Sequence, residues 1–136
     1  MILLCVFAAQ PIRLVNGSSA NEGNVEVYVN GVWGAVCDDG WDISDALVAC
    51  RQLGYPSVLR VHEAAAFGNA SLPFLLDDLL CDGTELVLTD CNSNTPVGQH
   101  NCQPHEIAGV RCNNNGMCFD RHFDYRNSLL YILFNN

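Results

Sequence analysis

The chain has 136 residues, 15 acidic against six basic side chains, a formal charge of −9 and eight cysteines. That length holds one core of ordinary size, not two, and that charge argues against nucleic acid, heparin-like polymers and anionic membranes as direct electrostatic partners. Eight cysteines without a Cys-x-x-Cys pair point away from a zinc ribbon or a redox centre and toward disulfides in an oxidising compartment.

In chain order, residues 1–9 are apolar and end in the small pair Ala8-Ala9. They resemble the end of a secretory signal, truncated because a basic leader is absent and the usual length is about 15–30 residues. Its removal takes Cys5 away and leaves an odd number of cysteines, with Cys118 the natural one to pair with another chain. The triplets Asn16-Gly17-Ser18 and Asn69-Ala70-Ser71 are N-glycosylation sequons and fit secretion.

Val25, Val27 and Val29 alternate with Glu26 and Tyr28, Asn30-Gly31 supplies two positive-φ residues, and Val32 to Val36 returns, which predicts a hairpin with a type I′ turn. Asp42 then caps a helix expected over residues 43–53, in which Ile43, Leu47, Cys50 and Leu53 recur at helical spacing until Gly54 and Pro56 end it. Ser57 to Asn101 reads as loops joining short strands, with apolar runs at Phe74 to Leu76 and Leu86 to Leu88. Ile107 to Arg111 predicts a closing strand before Cys112, and Asn113 to Gly116 a domain end. Residues 117–136 are a tail or the start of a further segment, whose apolar run Leu129 to Phe134 is far shorter than the roughly 20 residues of a membrane span.

Arg13-Leu14-Val15, Gly23 to Val27, Trp33 to Trp41, Val48 to Gly54, Leu76-Asp77-Asp78, His100-Asn101-Cys102 and Ala108 to Cys112 together resemble the scavenger receptor cysteine-rich domain over residues 12–112. Several motifs in the right order make the likeness specific. It implies an α+β fold, a small disulfide-rich domain in which a curved antiparallel sheet cradles one α-helix. It also implies the six-cysteine type, since no cysteine stands near Asn21 or Tyr55, and it leaves Cys5 and Cys118 outside the pattern. Six cysteines permit 15 pairings, which spacing cannot resolve. The resemblance implies Cys37 with Cys102, Cys50 with Cys112, and Cys81 with Cys91.

The first of those bridges would bring Asp38 and Asp39 to the segment ending at Glu106. Three converging carboxylates repel one another, and a hard divalent cation with oxygen ligands relieves that repulsion. Calcium is the expected ion, in agreement with the cation site known in the resembled family. Many family members carry an acidic residue where this chain has Ile107, which lowers the local charge. Asp77 and Asp78 are a secondary candidate for a second cation. Trp33 and Trp41 are expected in the core.

Catalytic machinery is not visible: the four histidines lack metal-ligand spacing, and no Gly-x-Ser-x-Gly elbow is present. The expected function is a non-enzymatic recognition module of the defence or adhesion kind, secreted or on the outside of a membrane protein. It would bind extracellular protein or polyanionic ligands through calcium. The rival expectation is an accessory domain of a larger extracellular enzyme, such as a serine protease or amine oxidase.

Overall fold

The structure is a computed structural model that describes residues 11–115. Cys5, Cys118 and the expected signal-like and tail segments lie outside the described residues. Strands β1 (Ile12–Asn16), β2 (Glu22–Val29) and β3 (Val32–Val36) precede helix α1 (Ile43–Gln52). Then come β4 (Ser57–His62), β5 (Phe74–Leu76), β6 (Leu79–Leu80), a 3-10 turn at Leu88–Asp90, β7 (Asn92–Ser93) and β8 (Gly109–Asn113).

The main sheet runs β4-β8-β2-β3-β5, with β1 also paired to β2, and β6 pairs β7 apart from it. Every pairing is antiparallel except β3 with β5, which is parallel. The hairpin forms as expected: Val29 faces Val32 across the turn, and Asn30 and Gly31 hold φ of 52° and 85°. Only residues tolerant of positive φ fit there, which is why Asn-Gly marks this turn in a sequence.

Both faces of the sheet are covered. On one side, Val25, Val27 and Val29 join Val36, Val110 and the inner face of α1 in the larger core. On the other, Ala35, Phe74 and Ile107 form a smaller cluster around the Cys37–Cys102 bridge, with Ala65 and Ala70 of the β4–β5 loop packed on it. Glu26, which alternation alone would set in solvent, is therefore buried; Arg13 Nε on β1 bonds its Oε2 at 2.6 Å.

The helix differs from expectation in its face. Ile43 is 59% exposed, and the buried residues are Asp45, Ala46, Val48, Ala49 and Cys50. The Cys50–Cys112 bridge fixes which side points inward, and the small alanines let the helix lie close to the sheet. Asp42 caps it by accepting from the Ser44 and Asp45 amides at 2.9 and 3.2 Å, while Asp45 accepts from the Asp42 amide at 2.8 Å, a closed capping box. Asp45 also accepts from the Cys81 amide at 3.0 Å. Burial pushes its carboxyl up to about 6, against the lowering effect of the Cys81 and Asp42 amides.

Two further expectations are corrected. The run Leu86 to Leu88 does not extend as a strand; Leu88 starts the 3-10 turn and is wholly buried, its amide donating to Gln52 Oε1. Trp41 is core, with its indole N–H donating to the Gly109 carbonyl at 3.1 Å. Trp33, however, is only half-buried on the far face of the sheet. It sits opposite Tyr28 in the register, beneath the Arg13 guanidinium 4.0 Å from its ring centre.

Candidate metal centre

The acidic residues meet because three chain segments converge at the end of β3. On one side the parallel partner β5 pairs Val36 with Leu76, and the Cys37 amide donates to the Leu76 carbonyl at 2.8 Å. Each strand is followed within two residues by a pair of aspartates, so parallel pairing sets Asp38-Asp39 beside Asp77-Asp78. On the other side Cys37 pairs with Ile107, and the Asp38 amide donates to the Glu106 carbonyl at 2.8 Å. The Cys37–Cys102 bridge, with alpha carbons 6.2 Å apart, ties the third segment down.

One carboxylate oxygen from each of Asp38, Asp39 and Glu106 lies within 4.8 Å of the others. Two oxygens on one calcium ion stand at most about 5 Å apart, twice the usual ligand distance. The donors are all hard oxygens on loops, so the residues fit calcium. Asp38 Oδ2 also accepts from the Ala64 amide at 2.6 Å, and Glu106 Oε2 from the Gln103 amide at 2.5 Å, which orient both side chains. Ala64 and Ala65 hold positive φ of 54° and 52°, uncommon for alanine, beside that contact.

Asp77 and Asp78 are not brought together as a separate metal-capable pair. Asp77 is 2% exposed and offers an oxygen within 4.8 Å of Asp39, in a group whose sulfurs belong to the Cys37–Cys102 bridge. Its Oδ1 accepts from the Asp78 amide at 2.8 Å. Asp39 therefore stands between both sets of acids. Desolvation raises its pKa first, followed by the fields of Asp77, Glu106, Asp38 and Asp78. Asp77 is also raised, chiefly by desolvation, against the lowering pull of the Asp78 and Asn101 amides and of His100. The roles of Ala64 and Asn101 had no signal in the sequence beyond the His100-Asn101-Cys102 motif.

Ile107, at the position noted above, is buried in the loop-side cluster. Both sequon asparagines are exposed: Asn16 ends β1, and Asn69 lies in the β4–β5 loop that carries Ala64. The structure joins Cys37 to Cys102, Cys50 to Cys112 and Cys81 to Cys91. No helix among the described residues is long and apolar enough to cross a membrane.

The sequence model of the scavenger receptor cysteine-rich domain matches residues 15–113. A scavenger receptor cysteine-rich domain superfamily protein of Patiria pectinifera is 47% identical over 102 residues, which make up 75% of this chain and 9% of that protein. Among solved structures, the third SRCR domain of murine neurotrypsin is 47% identical with a TM-score of 0.70, covering 76% of this chain and 96% of that one. The dimeric form of the SRCR domain of mouse MARCO is 41% identical with a TM-score of 0.62, covering 79% and 94%.

Proposed function

The chain belongs to the scavenger receptor cysteine-rich family, whose domains are extracellular ligand-recognition modules, and from that premise we propose that this domain captures ligands through calcium held by Asp38, Asp39 and Glu106. The observation that carries the reading is the convergence of those three carboxylates within the span of one calcium ion. Calcium supplies local positive charge on a domain whose net charge is −9, and gives an acidic ligand group a contact that the bare surface repels. Asp77, which offers an oxygen within 4.8 Å of Asp39, serves a second, weaker cation position that shares Asp39 with the first. Partners of this chemistry are extracellular proteins or polyanions of the kind met in defence and adhesion. The protein acts as a secreted or membrane-displayed binder, with N-glycans at Asn16 and Asn69.

Isothermal titration with calcium tests this. Binding is expected at about 10⁻⁴–10⁻³ M, the range of extracellular modules, and Asp39→Asn, with Glu106→Gln as a second variant, abolishes it. A titration flat through the millimolar range supports a purely structural disulfide module. A ligand panel in which binding survives both chelation and Asp39→Ala overturns the calcium reading.

A second reading, an accessory module of a larger extracellular enzyme, draws on the chain's spanning only 9% of its Patiria pectinifera relative. A longer transcript separates the two. A protease or amine oxidase domain beside this one favours the accessory role, and repeats of the same domain favour a receptor or secreted scavenger.

A further inference from the structure

Asn24 lies wholly buried on β2, between Gly23 and Val25. Its Nδ2 donates to the Gly68 carbonyl at 2.8 Å, in the β4–β5 loop, while its Oδ1 is buried with no hydrogen-bond partner among the described residues. Burying an acceptor without a donor costs stability, and an apolar side chain of similar shape avoids that cost. Gly68 is exposed, so water can take over its carbonyl if the amide is removed. Stability of the sheet therefore does not account for an asparagine at this position.

The hydrogen bond of Asn24 leads toward the candidate centre. The Gly68 amide donates to the Ala65 carbonyl at 2.8 Å, and the adjoining Ala64 amide donates to Asp38 Oδ2 at 2.6 Å. Ala64 and Ala65 both hold the left-handed φ noted above, a region that residues with a Cβ leave unless their surroundings keep them there. Those surroundings are a fitted seat. Asn24, Gly109 and His62 form one row across β2, β8 and β4. Gly109, having no side chain, leaves a notch that the Phe67 ring occupies: a Cβ there would come within 3.1 Å of it. His62 meets the ring edge-on at 4.9 Å, Asn24 grips the next residue, and the Ala70 amide donates to the Pro104 carbonyl at 2.8 Å.

We propose that Asn24 is a positioning residue for the calcium centre. By fixing Gly68 it keeps the β4–β5 loop in the strained form that holds the Ala64 amide on Asp38, and so tunes calcium affinity from outside the ligand set. An amide on one carboxylate oxygen fixes the torsion of the side chain before an ion arrives, which lowers the ordering cost of binding. The effect on affinity rests on the calcium reading, whereas the placement of the loop by Asn24 is independent of any ion.

The test replaces Asn24 by leucine, close in shape and without polar atoms. Expected in EDTA are a melting temperature no lower than that of the parent and faster hydrogen exchange at the Ala64 amide. Calcium binding by calorimetry is expected to be about fivefold weaker, the loss of one hydrogen bond's net worth. A lowered melting temperature with unchanged calcium affinity in the folded fraction is the signature of a merely structural residue and overturns the proposal. Phe67→Ala empties the notch and is expected to weaken calcium binding too. Combined with Asn24→Leu it should weaken it by less than the product of the separate effects, because both act on one loop; effects that multiply in full overturn the shared seat. Where Asn24→Leu fails to fold, Asn24→Ser takes its place in the same measurements. Where the parent binds no calcium, the calcium reading fails and Ala64 exchange in EDTA decides alone: faster exchange in the folded variant upholds the positioning role, and unchanged exchange ends it.

Discussion

The two sides of the sheet are built on different principles. The helix side gathers seventeen buried residues, mostly aliphatic, while the loop side gathers five, of which two are the cysteines of one bridge. Four acids of the candidate centre and Asp78 are crowded onto the end of that poorer side. Hydrophobic burial dominates on the helix side, where the one buried acid, Asp45, is held by the Cys81 and Asp42 amides, while on the loop side a single bridge makes up much of a small core beside mutually repelling carboxylates.

The sharpest way to break this contrast is to cut the ties. On the chain-entropy model, Cys37→Ser/Cys102→Ser loses about 4 kcal/mol and Cys81→Ser/Cys91→Ser about 3 kcal/mol. The first pair should also abolish calcium binding while the second leaves it intact, as read by urea denaturation and calorimetry. A loop-side bridge that proves the more dispensable of the two would end the comparison. Next in size, Leu88→Ala on the helix side should cost about 2–5 kcal/mol through the cavity it leaves, without changing calcium affinity in the folded fraction.

The smallest effect concerns pH. In the metal-free domain Asp39 and Asp77 are raised above the ordinary aspartate value of 3.8, so between that value and their folded values the native state binds more protons than the unfolded one. Their share of stability therefore falls as pH rises through that window. Asp45 adds to the same trend up to about pH 6. Calcium bound at the proposed centre would hold the site acids deprotonated and reverse their share, while leaving that of Asp45 alone. The melting temperature in calcium minus that in EDTA should grow from pH 4 to pH 7, and should vanish in Asp39→Asn. A difference that is flat with pH would remove protons from competition at the centre.

Local chemistry made much of this legible. Asn30-Gly31 dictated the hairpin, and Asp42 with Gly54 bounded the helix. Which helix face turned inward was not legible, because Ile43 and Leu47 compete with Ala46 and Ala49 in any apolar count and only the partner of Cys50 decides between them. The burial of Glu26 escaped for a related reason: alternation shows one covered face, and a second appears only when β1 and the β4–β5 loop fold across. The meeting of Asp38, Asp39 and Glu106 followed from one assumed bridge. The approach of Asp77 to Asp39 required the parallel pairing of β3 with β5, a non-local contact with no signature in either short strand. That Arg60 and Arg111 face each other across β4 and β8 required a register, which neither composition nor motif contains.

The helix is also clasped to the segment between Cys81 and Cys91 at three heights. Asp45 accepts from the Cys81 amide, Arg51 donates to the Gly83 carbonyl, and Gln52 accepts from the Leu88 amide. With the bridge closing its base, the segment's exposed crest at Thr84 and Leu86 is a ready-made handle. A dye or grafted epitope placed there would ride rigidly on the helix, so reporters can be installed on this molecule without touching the acids of the candidate centre.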